Sequence, residues 1–292
     1  MRFLALDGAL HAAVAETSDA AQSSSGTPSF MEWLFTSDGF HAPAITEFYP
    51  EALAFAGTVF EFNRIALVRI IAALVAILIF GLVARNAKIV PGRGQAAIEI
   101  VLDFIRIQIV EEVMGKERAK RFVPILTTLF IAVVLFNITG VIPFLNIAGT
   151  SLIGLPIIMA LWVYVMYITV GIKKHGLGGY LKASLFPPGV PKPIYLLLTP
   201  IEFLQVFILR PATLALRLAA NMMAGHLLLV LCFAATQYFF FEATGALKAA
   251  GVISLAAGFG FTLFEIFVAL LQAYVFVMLS SVYLNMALEE EH

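Results

Sequence analysis

The chain has 292 residues, of which 61% are hydrophobic and only 13% carry a formal charge. Soluble domains carry charge on about 25% of their residues, so this composition predicts an integral membrane protein. The 18 basic and 19 acidic side chains nearly cancel, which argues against nucleic-acid binding. The single cysteine excludes a disulfide framework.

Residues 1–61 differ in composition from the rest of the chain. Residues 20–28 are rich in Ser, Gly and Thr, which is typical of a flexible segment. Residues 30–61 mix aromatic, acidic and proline residues, which favours an ordered cap at the membrane surface. Asp7 and Gly8 interrupt the first apolar stretch, which disfavours a cleaved signal peptide. We therefore predict a partly flexible extracytoplasmic segment over residues 1–61 and a single membrane domain over residues 62–292.

Five apolar spans are predicted after this segment, which makes the fold all-α. The first covers residues 65–83. Residues 122–172 carry no charge and exceed one span of about 20 residues, so they are predicted to form two spans joined by a turn at 143–149. The last two tracts, 194–241 and 249–288, would each reach about 60 Å as a helix, twice the hydrocarbon thickness. We expect them to form a long, strongly tilted hairpin rather than a steep pair of ordinary spans.

Residues 96–114 have the spacing of an amphipathic helix. Charged residues such as Glu99, Asp103 and Arg106 occupy faces that the apolar residues leave free. This pattern favours a helix lying at the membrane interface, and the alternative is a helix packed on a soluble partner. The apolar residues at helical spacing are Ile98, Val101, Leu102, Ile105, Ile109 and Val113.

The distribution of basic residues predicts the orientation. Eight lysines and arginines lie between the first two spans, at 85–121, and four follow the third span, at 173–192. The segment 146–151 carries no charge, and 242–248 carries one charge of each sign. Because basic loops stay on the cytoplasmic side, the N-terminus is predicted outside and the C-terminus inside.

Arg217 is the most unusual residue of the fourth tract, because apolar residues surround it. A guanidinium stays protonated in a protein, and insertion scales give a cost of about 2.5–3.5 kcal/mol for an arginine at the membrane centre. Such a charge is expected to face protein or water and to be functional. Asn221, one turn later, can hold the guanidinium or bridge waters, or instead pack on another helix. No acidic residue follows closely, so the counter-charge is predicted to come from another subunit.

His226, Glu265 and Gln272 form a second polar set. His226 is nine residues beyond Arg217, about half a rotation around the helix, and therefore faces away from it. Glu265 is the only acid of the last tract before its C-terminal end and can approach His226 in a hairpin, where the two groups can relay protons. Gln272, seven residues later on the same face, could meet Arg217 across the hairpin.

Glu202 and Arg210 lie on the approach to Arg217 and are possible supporting polar groups. The alternatives are an ion pair or snorkelling to the interface. Small residues around Arg217 predict close approach of another helix; they are Ala212, Ala215, Ala219, Ala220, Ala224 and Gly225. The sequence predicts neither a cofactor site nor a metal site.

The segment from Arg210 to His226, RPATLALRLAANMMAGH, resembles the signature of subunit a of the F-type ATP synthase membrane sector. That signature has a proline, four to five residues, Leu-Arg-Leu, two residues, Asn, and then Ala-Gly-His or Ala-Gly-Glu. The tail EIFVALLQAYVFVMLSSVY, which begins at Glu265, is similar to the family's last helix. The segment NITGVIP, which begins at Asn137, resembles the end of its second span. The resemblance extends over residues 62–288.

The resemblance implies roles for the polar residues. Arg217 would be the stator arginine that faces a rotating ring of c subunits, with Asn221 and Gln272 as its polar neighbours. His226 and Glu265 would lie in the half-channel from the outer side, although some family members carry these residue types in the reverse order. A proton would neutralise a carboxylate of the ring there and leave through an inner half-channel after nearly a full turn.

The implied partners are the c-subunit ring, the peripheral-stalk b subunits, the remaining ATP synthase subunits and membrane lipid. The membrane would be a bacterial plasma membrane, or alternatively a mitochondrial inner or thylakoid membrane. ATP chemistry would belong to other subunits, so the chain would not be an enzyme by itself. The alternative function is a self-contained ion channel or secondary transporter, whose typical internal repeats the sequence lacks. His226 and Glu265 favour H⁺ over Na⁺ without deciding between them.

Overall fold

The computed structural model describes residues 52–54, 62–85, 87–142, 145, 147–186, 192–243 and 245–289. A short strand β1 (Ala52–Ala54) pairs antiparallel with β2 (Phe62–Asn63), which directly precedes the first helix. The side chain of Asn63 begins that helix by accepting a hydrogen bond of 3.0 Å from the backbone N–H of Ala66. The predicted extracytoplasmic segment, residues 1–61, lies almost entirely outside the described residues.

Helices form nearly all of the described chain, and five helical segments are long and apolar enough to cross a membrane, as predicted. In chain order the helices are α1 (Arg64–Arg85), α2 (Arg93–Asp103), α3 (Glu112–Met114), α4 (Lys116–Ile138), α5 (Gly154–Leu185), α6 (Tyr195–Phe203), α7 (Arg210–Phe241) and α8 (Lys248–Leu288). The all-α integral membrane fold is therefore confirmed.

Two stretches of π-helix join shorter helices into longer ones. The first, Phe104–Glu111, links α2 to α3, and the second, Leu204–Leu209, links α6 to α7. Their hydrogen bonds join residues five apart instead of four, so the helix is wound more widely there. Tyr167 of α5 donates a hydrogen bond of 2.8 Å to the Val206 carbonyl inside the second stretch. That stretch directly precedes the helix that carries Arg217.

The predicted amphipathic helix is present as α2, the first π stretch and α3. Its position at a membrane interface stays a prediction. The wide winding places Arg106 and Glu111 on one face of the helix, where they form a hydrogen-bonded salt bridge of 2.7 Å. The hydrogen bond to Glu111 raises the pKa of the Arg106 guanidinium. Gly115, with φ of 74°, turns the chain into α4 in a conformation that favours glycine. The buried face comprises Ile105, Ile109, Val110 and Met114.

The last two membrane segments have the predicted extraordinary length. The continuous helix Tyr195–Phe241 has 47 residues and α8 has 41. At about 1.5 Å per residue they reach about 70 Å and about 60 Å, roughly twice the hydrocarbon thickness. The chain turns between Glu242 and Leu247, and α7 and α8 pack against each other in an antiparallel hairpin. The hairpin is confirmed, whereas its tilt in a membrane stays a prediction.

The main apolar core lies between α4, α5, α7 and α8. Tyr167, Leu126, Leu218 and Phe276 are among its fully buried side chains. The helix α1 packs mainly on α4, and much of its apolar surface is exposed, which suits contact with lipid. The helix α5 continues past the predicted end of its span at residue 172 and reverses at Gly176, whose φ is 73°. Residues 177–185 therefore fold back, and the Tyr180 ring lies against Gly171 of the same helix.

Candidate functional site

Close packing between α7 and α8 positions the polar residues of the hairpin. A Cβ atom at Gly225 of α7 would lie 3.2 Å from Oε1 of Glu265 on α8. Nearer the turn, a Cβ atom at Gly258 of α8 would lie 3.3 Å from the Phe233 ring on α7. Both contacts fit one antiparallel register, in which each step forward on α7 matches a step back on α8. Glycines thus allow the helices to approach closely along the hairpin.

His226 and Glu265, called here the outer polar pair after the side of the membrane predicted for them, are deeply buried. Glu265 is 3% exposed and His226 is 4% exposed. The carboxyl group of Glu265 lies against Gly225, the residue before His226, and a proton relay between the two side chains stays a prediction. Both carboxyl oxygens are buried and accept no hydrogen bond from any described residue. Because buried polar atoms are ordinarily hydrogen-bonded, a carboxyl held here needs water or a transferable proton as its partner.

Replacing Gly225 with alanine should destabilise the hairpin. The new methyl group would stand 3.2 Å from Glu265 Oε1, so either the carboxyl must rotate or the two helices must separate. Because any Gly→Ala change in a helix also gains helix propensity, we expect the free energy of unfolding to be about 1–3 kcal/mol lower than in a Gly→Ala variant without this contact. Thermal unfolding in detergent measures this change. Gly260→Ala, on α8 where a Cβ atom meets nothing within 4 Å, is the control, and equal unfolding midpoints for the two variants would contradict the close contact.

Arg217 is exposed on the surface of α7. Among the described residues it forms no salt bridge and no side-chain hydrogen bond. Ala220 and Ala224 are exposed on the same face at helical spacing, whereas Ala215 and Ala219 are buried inside the chain. The predicted close helix approach is therefore confirmed for the buried alanines. Ala220 and Ala224 form an open face beside the charge.

Gln272 is buried near the level of Arg217 without bonding to it. In the register fixed by Gly225 and Glu265, Gln272 lies level with Leu218. Its Nε2 atom is buried and has no hydrogen-bond partner among the described residues. The expected contact between Gln272 and Arg217 is not formed, because the amide lies in the interior and the guanidinium lies on the exposed face. Asn221 is half-buried one turn from Arg217.

Glu202 and Arg210 line a cavity of about 240 Å³ beside the ends of α5 and α8. No salt bridge joins them, so the ion-pair alternative is wrong. The guanidinium of Arg210 instead lies over the Tyr283 ring, 5.3 Å from its centroid. Several other polar side chains line this cavity and were not predicted from the sequence, because the chain reversal at Gly176 brings them together. The other polar lining residues are Tyr167, His175, Tyr180, Ser184 and Glu289.

Sequence reasoning also missed a polar group on α1 and α4. Arg69 lies within the first predicted span, and its Nε donates a hydrogen bond of 2.8 Å to the Gly149 carbonyl. Asn137 is fully buried, and its Oδ1 accepts a hydrogen bond of 2.5 Å from the Thr150 hydroxyl. A signal was present, because the rule that singled out Arg217 applies equally to an arginine at position 69.

Known proteins resemble this chain in sequence over most of its length. A family model described as ATP synthase A chain matches residues 66–285, a range that contains every predicted site residue. A protein named ATP synthase subunit a from Rhodococcus erythropolis is 47% identical over 256 residues, which cover 87% of this chain and 93% of that protein. The protein of the same name from Nocardioides sp. is 36% identical, over 87% of this chain and 95% of that protein. The one from Frankia alni is 39% identical, over 77% of this chain and 77% of that protein. The chain therefore belongs to the ATP synthase A chain family.

Proposed function

We propose that this chain is the proton-translocating stator subunit of a rotary ATP synthase, with Arg217 facing a ring of c subunits. One observation carries the proposal: Arg217 is exposed on a membrane helix and has no acidic partner among the described residues. A permanent charge on such a surface is costly, so a counter-charge from outside the chain is required. A carboxyl on each ring subunit supplies it, and Ala220 and Ala224 let the ring approach closely.

The outer polar pair is proposed to carry protons from outside toward the ring. A carboxyl and an imidazole can each accept and release a proton, and the Glu265 carboxyl has no competing hydrogen bond from a described residue. A proton delivered here neutralises a ring carboxylate. The neutral carboxyl can then turn through lipid, which excludes a charged one.

The cavity beside Glu202 and Arg210 is the candidate for the inner half of the path. Its volume of about 240 Å³ holds several waters, each of which occupies about 30 Å³ in the liquid. Its position suits a water-filled route to the inner side, since α5 and α8 both end there. Protons released from the ring would leave through it.

Arg217 is proposed to separate the two half-channels. Its charge attracts a ring carboxylate that has lost its proton and disfavours any proton at the same place. Protons therefore pass only by way of the ring, and each one that crosses 100 mV yields about 2.3 kcal/mol. Asn221 and Gln272, both neutral, are proposed to keep the surroundings of the arginine polar.

The chain would work with the c-ring, the peripheral-stalk b subunits and the other ATP synthase subunits in a bacterial plasma membrane. Its N-terminus would lie outside and its C-terminus inside. ATP synthesis would take place on other subunits.

Site-directed cross-linking tests the ring-facing surface. In a Cys232→Ser background, a cysteine at Ala224 should cross-link to a small co-purifying membrane subunit, because this position is exposed beside Arg217. A cysteine at Ala219 is the matched control, since this neighbour is buried inside the chain. Equal capture from both positions, or no capture from Ala224, would contradict the proposed surface. Proton conduction by the chain alone in vesicles would favour a self-contained channel instead.

A further inference from the structure

Part of the connection between α4 and α5 runs inside the protein. Residues 147–151 are all buried. The Gly149 N–H donates to the Phe136 carbonyl at 2.8 Å and to the Thr139 hydroxyl at 3.2 Å. Buried backbone groups need such partners, which is why most loops stay at the surface. We call residues 147–151 the buried loop.

Two arginines of α1 hold this connection by its carbonyl groups. Arg64 Nη2 donates to the Leu145 carbonyl at 2.9 Å, and Arg69 Nε donates to the Gly149 carbonyl at 2.8 Å. Hydrogen bonds from a charged donor are shorter and stronger than neutral ones. Arg69 has no acidic partner among the described residues, so its charge is directed at the loop backbone.

The buried loop contacts the α7–α8 hairpin at a position between the outer polar pair and Arg217. Ala148 forms one buried apolar cluster with Met222 of α7 and Ala269 of α8. Met222 lies one turn before the histidine of the outer polar pair, and Ala269 lies between Glu265 and Gln272 on the buried face of α8. Ala148 therefore fills the hairpin surface where the outer polar pair ends and the level of Arg217 begins.

The loop has little room to shift. A Cβ atom at Gly140 would lie 3.0 Å from the Cβ of Ala148, so only glycine leaves space there. A Cβ atom at Gly149 would lie 3.2 Å from the Phe136 ring and 3.4 Å from Cγ of Arg69. The loop is thus enclosed by α1 and α4 on one side and by the hairpin on the other.

We propose that Arg69 is a positioning residue that keeps Ala148 between the outer polar pair and Arg217. By holding the Gly149 carbonyl, Arg69 keeps packed protein inside the chain, where water would otherwise join the outer path to the inner half of the path without passing the ring. The effect on proton flow rests on the proposed function. The contact that Arg69 maintains does not rest on it, and the two can be measured separately.

Cross-linking within the chain tests the contact. Cysteines at Ala148 and Ala269, in a Cys232→Ser background, should form an intramolecular cross-link on oxidation of membranes that contain the whole complex. Arg69→Met removes the donor and should lower the yield several-fold, whereas Arg69→Lys keeps a charged donor and should retain most of it. Arg85→Met, at the exposed other end of α1, is the matched control and should change nothing. An unchanged yield in Arg69→Met overturns the proposal.

Passive proton permeability tests the consequence. In vesicles stripped of the catalytic subunits, a carbodiimide that blocks ring carboxyls should stop proton flow in the parent protein. Arg69→Met should raise the carbodiimide-resistant flow several-fold, and Arg69→Lys should restore the low value, which loss of folding alone does not predict. A lower cross-linking yield with unchanged resistant flow overturns the separating role. If carbodiimide has no effect on the parent protein, the proposed function fails, while the dependence of the cross-link on Arg69 still supports the contact.

Discussion

Arg217→Ala should abolish proton-driven ATP synthesis while the chain still assembles with its partners. The side chain lies on the exposed face of α7 and forms no salt bridge within the described residues, so its removal leaves the interior packing intact. Without the fixed charge, the ionised form of a ring carboxyl is no longer stabilised at the stator, and no positive charge separates the two half-channels. Synthesis driven by an imposed proton gradient in vesicles measures the loss.

The control for this variant is Arg85→Ala, which removes an exposed arginine at the end of α1 and should leave synthesis unchanged. Arg217→Lys separates charge from geometry. Lysine can lose its proton in an apolar site and cannot form the planar fork of a guanidinium, so we expect a large loss here too. Normal coupled synthesis by assembled Arg217→Ala protein would exclude the assigned role.

Glu265→Gln should slow proton uptake from the outer side and change its dependence on outer pH. The amide preserves the shape of the buried carboxyl against Gly225 but cannot accept and release a proton. Positioned proton-transfer groups contribute about 10²–10⁴-fold to rates, and water in the path can replace part of this, so we expect a loss of about 100-fold at most. Proton uptake by vesicles over a range of outer pH is the measurement.

Glu117→Gln is the matched control for this experiment. Glu117 is exposed and pairs with Lys120 at 2.9 Å in the first turn of α4. The neighbouring Arg118 bonds to Asn285, which lies 20 residues along α8 from Glu265. Its replacement should leave both the rate and the pH profile of uptake unchanged. An unaltered pH–rate profile in Glu265→Gln would remove Glu265 from the proposed path.

The features that sequence reasoning predicted are those that the bilayer imposes directly. Spans of apolar residues become helices because lipid offers no partner for the backbone, so α1, α4, α5 and the long hairpin followed from hydropathy and length. Helical periodicity in a hairpin also predicted that Glu265 faces the region of His226, and Glu265 lies against Gly225, the residue before His226.

The features that sequence reasoning missed depend on how separate segments pack. Gln272 lies at the predicted level, but side-chain direction within the hairpin turns it away from Arg217. Arg69 could have been singled out as a charge within a span, but its partner could not, because it is a backbone carbonyl 80 residues away. The cavity beside Arg210 forms where the chain reversal at Gly176 meets the end of α8, and no sequence pattern indicates that these two segments lie together.

The π stretch Leu204–Leu209 sets the direction in which Arg217 points. If these residues were wound as regular α-helix, every later residue would turn by about 100° relative to α6, and the guanidinium would leave its present face. The stretch thus holds one residue more than a regular α-helix would, while the side chains of α7 keep their directions relative to α6. Shortening the chain by one residue inside it converts π to α and leaves the arginine facing outward, whereas the same deletion within α7 before Arg217 would rotate the charge out of register with any partner.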